Sequence, residues 1–228
     1  MFSFILAVVL LTSSISQAAP AFCGSADPEG APRLADSSRL VVDQNASGEW
    51  NIWESGIKDR LTFCIHDHFK KDKETIKEAV LAAVREWEQY ANVKFEYLPE
   101  HDSQCVDSNS SVLFRVKVIN SRRVPYSAKA FFPYTEDSKR DVYFKRKLVQ
   151  GDFQQLKGIA LHEFGHVLGF RHEHAHPDNP NICPEDRPLA PVTDYDSSSV
   201  MHYLICGGTG DLTLSDLDKQ GARRVYPF

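Results

Sequence analysis

The chain has 228 residues, of which 42% are hydrophobic and 25% charged. That balance suits one globular domain with an extra segment and excludes an intrinsically disordered chain. The formal net charge of −5 gives no electrostatic reason for a nucleic-acid partner.

Phe2 to Leu11 is almost wholly apolar and runs into the small and polar residues Thr12 to Ala19. An apolar run of this kind predicts a secretory signal over residues 1–21, too short to span a bilayer. Cleavage after Ala18 or Ala21 suits the small residues there, although the first residues carry no Lys or Arg. The expected location is extracellular, with no membrane anchor. Five cysteines (Cys23, Cys64, Cys105, Cys183 and Cys206) leave at least one over. An oxidising compartment favours pairing, and Cys64–Cys105 and Cys183–Cys206 are the expected disulfides. The sequons at Asn45 and Asn109 are glycosylation sites only in a eukaryotic host.

Residues 22–55 are rich in Pro, Gly, Ala, Ser and Asp and read as a pro-segment or loop-like extension. The main domain is expected over residues 56–228. Leu61 to Ile65 reads as a short strand. Lys71 to Ala91 reads as an amphipathic helix, with Ile76, Ala79, Val80, Ala83, Val84, Trp87 and Tyr90 at helical spacing. Val93–Tyr97, Val112–Val118, Ala128–Pro133 and Asp141–Phe144 complete a sheet of about five strands. Lys139, Arg140, Lys145, Arg146 and Lys147 form a basic cluster that reads as a solvated strand face, with a specificity element as the alternative. Asp152 is placed to cap the next helix, with Gln155 at the capping-box position. After His176, five prolines exclude long helices. Ser215 caps a last helix, with Leu217, Ala222 and Val225 inward.

Within the helix that Asp152 opens lies His162-Glu163-Phe164-Gly165-His166-Val167-Leu168-Gly169-Phe170-Arg171-His172, an H-E-x-x-H-x-x-G-x-x-H spacing. His162 and His166, at i and i+4, project from one face and can share a metal, while Glu163 stands beside it. Gly169 can end the helix and swing His172 back as third ligand. His174 and His176 compete for that place, and the spacing favours His172; the other two read as surface or outer groups. Three imidazoles with an open position describe a catalytic zinc, since a structural zinc takes four protein ligands.

At this motif the chain resembles the metzincin zinc endopeptidases. Ser199-Val200-Met201-His202-Tyr203 resembles the astacin Met-turn, and Glu173 follows the third ligand as in astacins. Ala128–Pro133 and Asp141–Phe144 resemble matrixin strands instead, so the chain is similar to a divergent, astacin-like metzincin over roughly residues 60 to 226. The glycine-rich matrixin loop that binds structural calcium is not recognisable.

The resemblance implies an α+β metzincin fold, one catalytic Zn2+ on His162, His166 and His172, and Glu163 as general base in peptide hydrolysis. It also implies Tyr203 as hydrogen-bond donor to the tetrahedral intermediate, with a merely packed tyrosine as the alternative, and Met201 as an apolar floor. Glu173 either pairs with a new N-terminus after activation or is an ordinary surface or hydrogen-bonding Glu. Cys23-Gly24-Ser25-Ala26-Asp27 faintly resembles the matrixin cysteine switch of a zymogen but lacks its Arg. A free or externally paired Cys23, or an astacin-type acidic plug from Asp27, Asp36 or Asp43, stands beside that reading. The expected partner is a protein or peptide substrate lying along an edge strand at Ala128 to Phe132, and the chain is expected to be a monomer. The alternative function is a secreted metzincin-fold protein that binds zinc without cleaving.

Overall fold

The computed structural model describes residues 40–121, 123–181, 183, 185 and 188–228. The signal segment, Cys23, Asp27 and Asp36 lie outside the described residues. In chain order the elements are β1 (Val41–Asp43), β2 (Leu61–Ile65), α1 (Lys73–Glu88), β3 (Phe95–Tyr97), β4 (Phe114–Ile119), β5 (Ala128–Lys129), β6 (Asp141–Lys145), α2 (Arg146–Val149), α3 (Phe153–Val167), β7 (Leu189–Pro191) and α4 (Asp216–Val225).

A five-stranded sheet of order β3-β2-β4-β6-β5 forms the centre of a mixed α/β architecture. β3, β2, β4 and β6 are parallel, and β5 adds antiparallel to β6 at the edge. All five residues of β2 are buried, as expected of a strand inside a largely parallel sheet. Six residues of the predicted stripe of α1, Ile76, Ala79, Val80, Ala83, Val84 and Trp87, face inward, but the helix ends at Glu88 and the seventh, Tyr90, lies beyond it half-buried. α1 packs against α3, with the Trp87 ring stacked at 5.3 Å on Phe170. From α3, Phe164 meets Phe95 and Phe114 edge-on at 5.6 and 5.9 Å. Aromatic pairs of this geometry contribute beyond the area they bury.

Ala128 to Pro133 was expected as one strand, but only Ala128 and Lys129 join the ladder. Ala130, Phe131 and Phe132 leave it and turn their side chains into the core. The basic residues between positions 139 and 147 are not a simply solvated face. Arg140 reaches Asp137 at 2.6 Å and lies over the Trp53 ring, and Arg146 pairs with Asp72 at 2.9 Å. In α4, Ala222 and Val225 are buried as predicted, but Leu217 is half-exposed and Asp218 takes the interior position. Both expected disulfides, Cys64–Cys105 and Cys183–Cys206, are formed.

The largest departure from the sequence reading is at residues 40–53, which lack periodicity yet are built into the core. Leu40, Val41, Val42 and Trp53 are buried, and β1 pairs antiparallel with β7. Three inward residues are too few to show a period, so only tertiary pairing reveals β1. The Trp53 indole donates to the Val167 carbonyl at 2.7 Å, and the Tyr226 hydroxyl donates to the Leu168 carbonyl at 2.7 Å. These two side chains satisfy carbonyls that the end of α3 leaves without intrahelical partners.

Two truncations test this packing. A chain starting at Ser38 is expected to unfold cooperatively in urea. One starting at Gly56 loses Leu40, Val41, Val42 and Trp53, each worth about 2–5 kcal/mol, against a typical total of about 5–15 kcal/mol. It is expected to show no cooperative transition; a normal transition would make residues 40–55 dispensable.

Candidate metal centre

α3 starts where the Asp152 carboxylate accepts the Gln155 amide at 2.8 Å. From Gly158 to Val167 every residue is buried, so His162 and His166 project from one face into the protein. The helix stops at Gly169, whose φ is +94°. A Cβ there would lie 2.6 Å from the Asn51 carbonyl oxygen, so both conformation and space require glycine. Beyond it the chain runs beside β1: the Asp43 amide donates to Gly169 at 3.0 Å and the Arg171 amide to Val41 at 2.8 Å. That pairing turns His172 back under α3.

One nitrogen each from His162, His166 and His172 lies within 4.8 Å of the others, and the Nε2 atoms of His166 and His172 are 3.1 Å apart. His162 Nδ1 meets the Val200 carbonyl at 2.7 Å, His166 Nδ1 meets the Phe170 carbonyl at 2.7 Å, and His172 Nδ1 meets the Glu185 carboxylate. Those oxygens only accept, so each Nδ1 carries the proton and each Nε2 lone pair faces inward. Burial, with the neighbouring imidazoles adding to it, holds the pKa values of His162 and His166 well below the usual histidine range. Neutral rings at His162 and His166, with the three histidine nitrogens converging, suit what a metal requires. The three residues can therefore hold a metal ion.

The site is held from below by the turn at Ser199. Gly165 makes room for Met201, whose Sδ would lie 2.4 Å from a Cβ at that position. The Asp218 carboxylate accepts from Ser199 Oγ at 2.6 Å, from the Val200 amide at 2.8 Å and from the Ser215 amide at 3.0 Å. One side chain thus completes the capping box of α4 and fixes the turn whose carbonyl orients His162. Burial, opposed by those three donors, pushes the Asp218 carboxyl up to about 6.

Glu163 is fully buried next to His162. The Tyr203 ring lies 4.3 Å from His172, 4.6 Å from His174 and 5.9 Å from His162, centroid to centroid. The three histidines, Glu163 and Tyr203 thus belong to one neighbourhood.

His174 and His176 are not surface groups: both are buried. His174 sits beneath Tyr203 with Nε2 3.2 Å from Glu185. His176 is outside the metal group, its ring 5.7 Å from Tyr195. Glu173 is not on the surface either. Its Oε1 accepts the Asp196 amide at 2.9 Å, while Oε2 is buried with no hydrogen-bond partner among the described residues. Burial raises its pKa well above the carboxylate range. Asp43 is not a plug for a metal, because its carboxylate is committed to Arg171 at 3.0 Å and Asn51 at 2.6 Å.

Sequence reasoning missed Arg171 and Glu185, and gave Asp43 a different role. Arg171 is enclosed and bridges Asp43 to Glu185, whose Oε2 is 2.5 Å from its Nη2. Burial would raise the Glu185 pKa, but His172, His174 and Arg171 together hold it well below the carboxylate range. The only signal in the sequence was position: Glu185 stands two residues from Cys183.

No protein-family model matches the sequence, and no curated protein matches it. Solved structures do. One structure of myroilysin superposes with a TM-score of 0.57 at 19% identity, covering 82% of this chain and 98% of that one. A crystal structure of myroilysin superposes with a TM-score of 0.54 at 18% identity, covering 93% of each chain. The likeness is one of fold over nearly the full length of those proteins.

Two outcomes check the construction. Gly169→Ala is expected to cost about 1–3 kcal/mol from the left-handed backbone alone, with a fall in bound metal, read by urea unfolding and elemental analysis. For Asp218 the folded pKa lies above the unfolded value of 3.8, so its stabilising contribution is complete below that value and declines as pH rises through about 6. Asp218→Asn, which cannot titrate, is expected to lose less stability than the wild type between pH 4 and 7.

Proposed function

We propose that this chain is a secreted zinc endopeptidase of the astacin-like metzincin type, with His162, His166 and His172 as zinc ligands. The observation that carries the reading is the closed set of three. Among the described residues no fourth His, Cys, Asp or Glu joins that group, and three protein ligands mark a catalytic zinc where four mark a structural one. Two disulfides support an oxidising, extracellular setting. Among the described residues no helix is long and apolar enough to cross a membrane.

Zinc held there supplies a Lewis acid that polarises the scissile carbonyl and makes water nucleophilic near neutral pH. Glu163 accepts the proton of the attacking water on its carboxylate and passes it to the leaving amine nitrogen. Its burial beside His162 keeps bulk water away from that transfer. Tyr203 donates its phenolic proton in a hydrogen bond to the oxyanion as it develops. The substrate backbone lies along the edge strand β5, and the Phe132 ring beyond that strand is 5.1 Å from His166. Glu173 supports a further step of activation: its buried Oε2 suits a new N-terminal ammonium once a segment that ends ahead of Leu40 is cut.

Casein hydrolysis by the secreted, processed protein tests the reading. Chelation should abolish it while the melting temperature moves little, and zinc should restore it. Glu163→Ala is expected to lower kcat by about 10²–10⁴-fold, and Tyr203→Phe by about 10²-fold, with zinc still bound in both. No cleavage of a broad peptide library by zinc-loaded protein would leave the silent zinc binder instead.

A further inference from the structure

His162 and His166 are oriented by backbone carbonyls of Val200 and Phe170, atoms fixed by the packed core. His172 is oriented differently. It lies beyond the helix, and its Nδ1 donates to a side chain, the carboxylate of Glu185. Glu185 comes from the proline-rich segment after His176, which carries no helix among its described residues. We propose that Glu185 is a positioning residue for the third ligand: held by Arg171 and Asp43, its carboxylate locks the His172 ring with Nε2 facing the metal. The inference rests on the reading of His162, His166 and His172 as the metal site.

Every oxygen of Glu185 has a stated task. Oε1 takes the His172 proton and lies 3.2 Å from His174 Nε2, while Oε2 takes Arg171 Nη2 at 2.5 Å. Arg171 cannot turn away, because its other arm is bound to Asp43 at 3.0 Å and neither side chain is more than 1% exposed. The segment itself is anchored two residues earlier, where Cys183 is joined to Cys206, three residues after Tyr203. A carboxylate behind a ligating imidazole both fixes the ring and raises the basicity of its far nitrogen. A backbone carbonyl does the first but carries no charge for the second. His172 is therefore the ligand through which the chain sets its hold on the metal.

His172, His174 and Glu185 also lie close enough to hold a cation of their own. The Arg171 guanidinium on Glu185 opposes a second positive charge there. The geometry favours a proton, not a metal, between His172 and Glu185.

The test uses the full secreted chain, stripped of metal and titrated with zinc against a chromophoric chelator. Glu185→Ala is expected to weaken zinc about 10–100-fold. Glu185→Gln keeps an oxygen for the His172 proton but loses the charge-assisted bond, so about 3–10-fold is expected. Circular dichroism and melting of the zinc-free proteins establish that each variant folds; if the alanine variant does not, the glutamine variant decides alone. A graded loss with one zinc per chain supports the proposal. Wild-type affinity in a folded variant, equal losses in both, or two zinc ions per wild-type chain would overturn it. If the wild type binds one zinc and the variants lose affinity but no peptide is cleaved, the peptidase reading fails and the role of Glu185 stands. Cleavage with affinity indifferent to Glu185 gives the reverse.

Discussion

The turn at Gly169 is the constraint on which the site depends. Its φ of +94° and the Asn51 carbonyl pressed against it allow no side chain. Because the helix ends there, Phe170 and Arg171 can pair with β1, and His172 arrives beneath the helix that carries His162 and His166. Three histidines that span eleven residues of chain thereby converge within 4.8 Å. The turn in turn depends on β1, so the segment from Leu40 to Trp53 supports the candidate metal centre as much as α3 does.

Around that turn the protein buries an unusual amount of charge. Asp43, Arg171, Glu185, Glu173 and Asp218 lie inside or nearly so, and each meets at least one polar group. Breaking one member of a buried pair costs about 3–5 kcal/mol, whereas replacing the whole pair with apolar groups is often neutral. Stability alone is therefore a poor reason to keep such a network. Orientation is a better one: the network holds the His172 ring through Glu185 and the His162 ring through Asp218 and the Ser199 turn.

The fold also shows how one side chain can serve two elements. Asp218 closes the first turn of α4 and holds the Ser199 turn against α3. The C-terminal helix, which contributes no residue to the metal group, thus aligns His162 from behind. A fold likeness to myroilysin at 18–19% identity is compatible with this division of labour, because backbone placement is shared while the supporting side chains are free to differ.

What the sequence determined by itself was local or was written in spacing. The stripe of α1, the caps Asp152 and Ser215, the helix stop at Gly169 and the i, i+4 histidines follow from backbone geometry within a few residues. The two disulfides were expected between neighbouring segments, but sequence leaves connectivity open and the structure fixes it. Only the tertiary structure decided the rest. β1 is three residues long and has no period to read, so its place came from pairing with β7 and Phe170. His174 and His176 read as surface or outer groups and Glu173 kept several readings, because polar residues are usually exposed; each is in fact buried against a group 11 to 23 residues further along the chain. Asp43 and Arg171 are 128 residues apart in sequence, and no pattern of spacing connects them. Their pairing is a property of the packed interior, where an ionised group persists only if another part of the chain meets it.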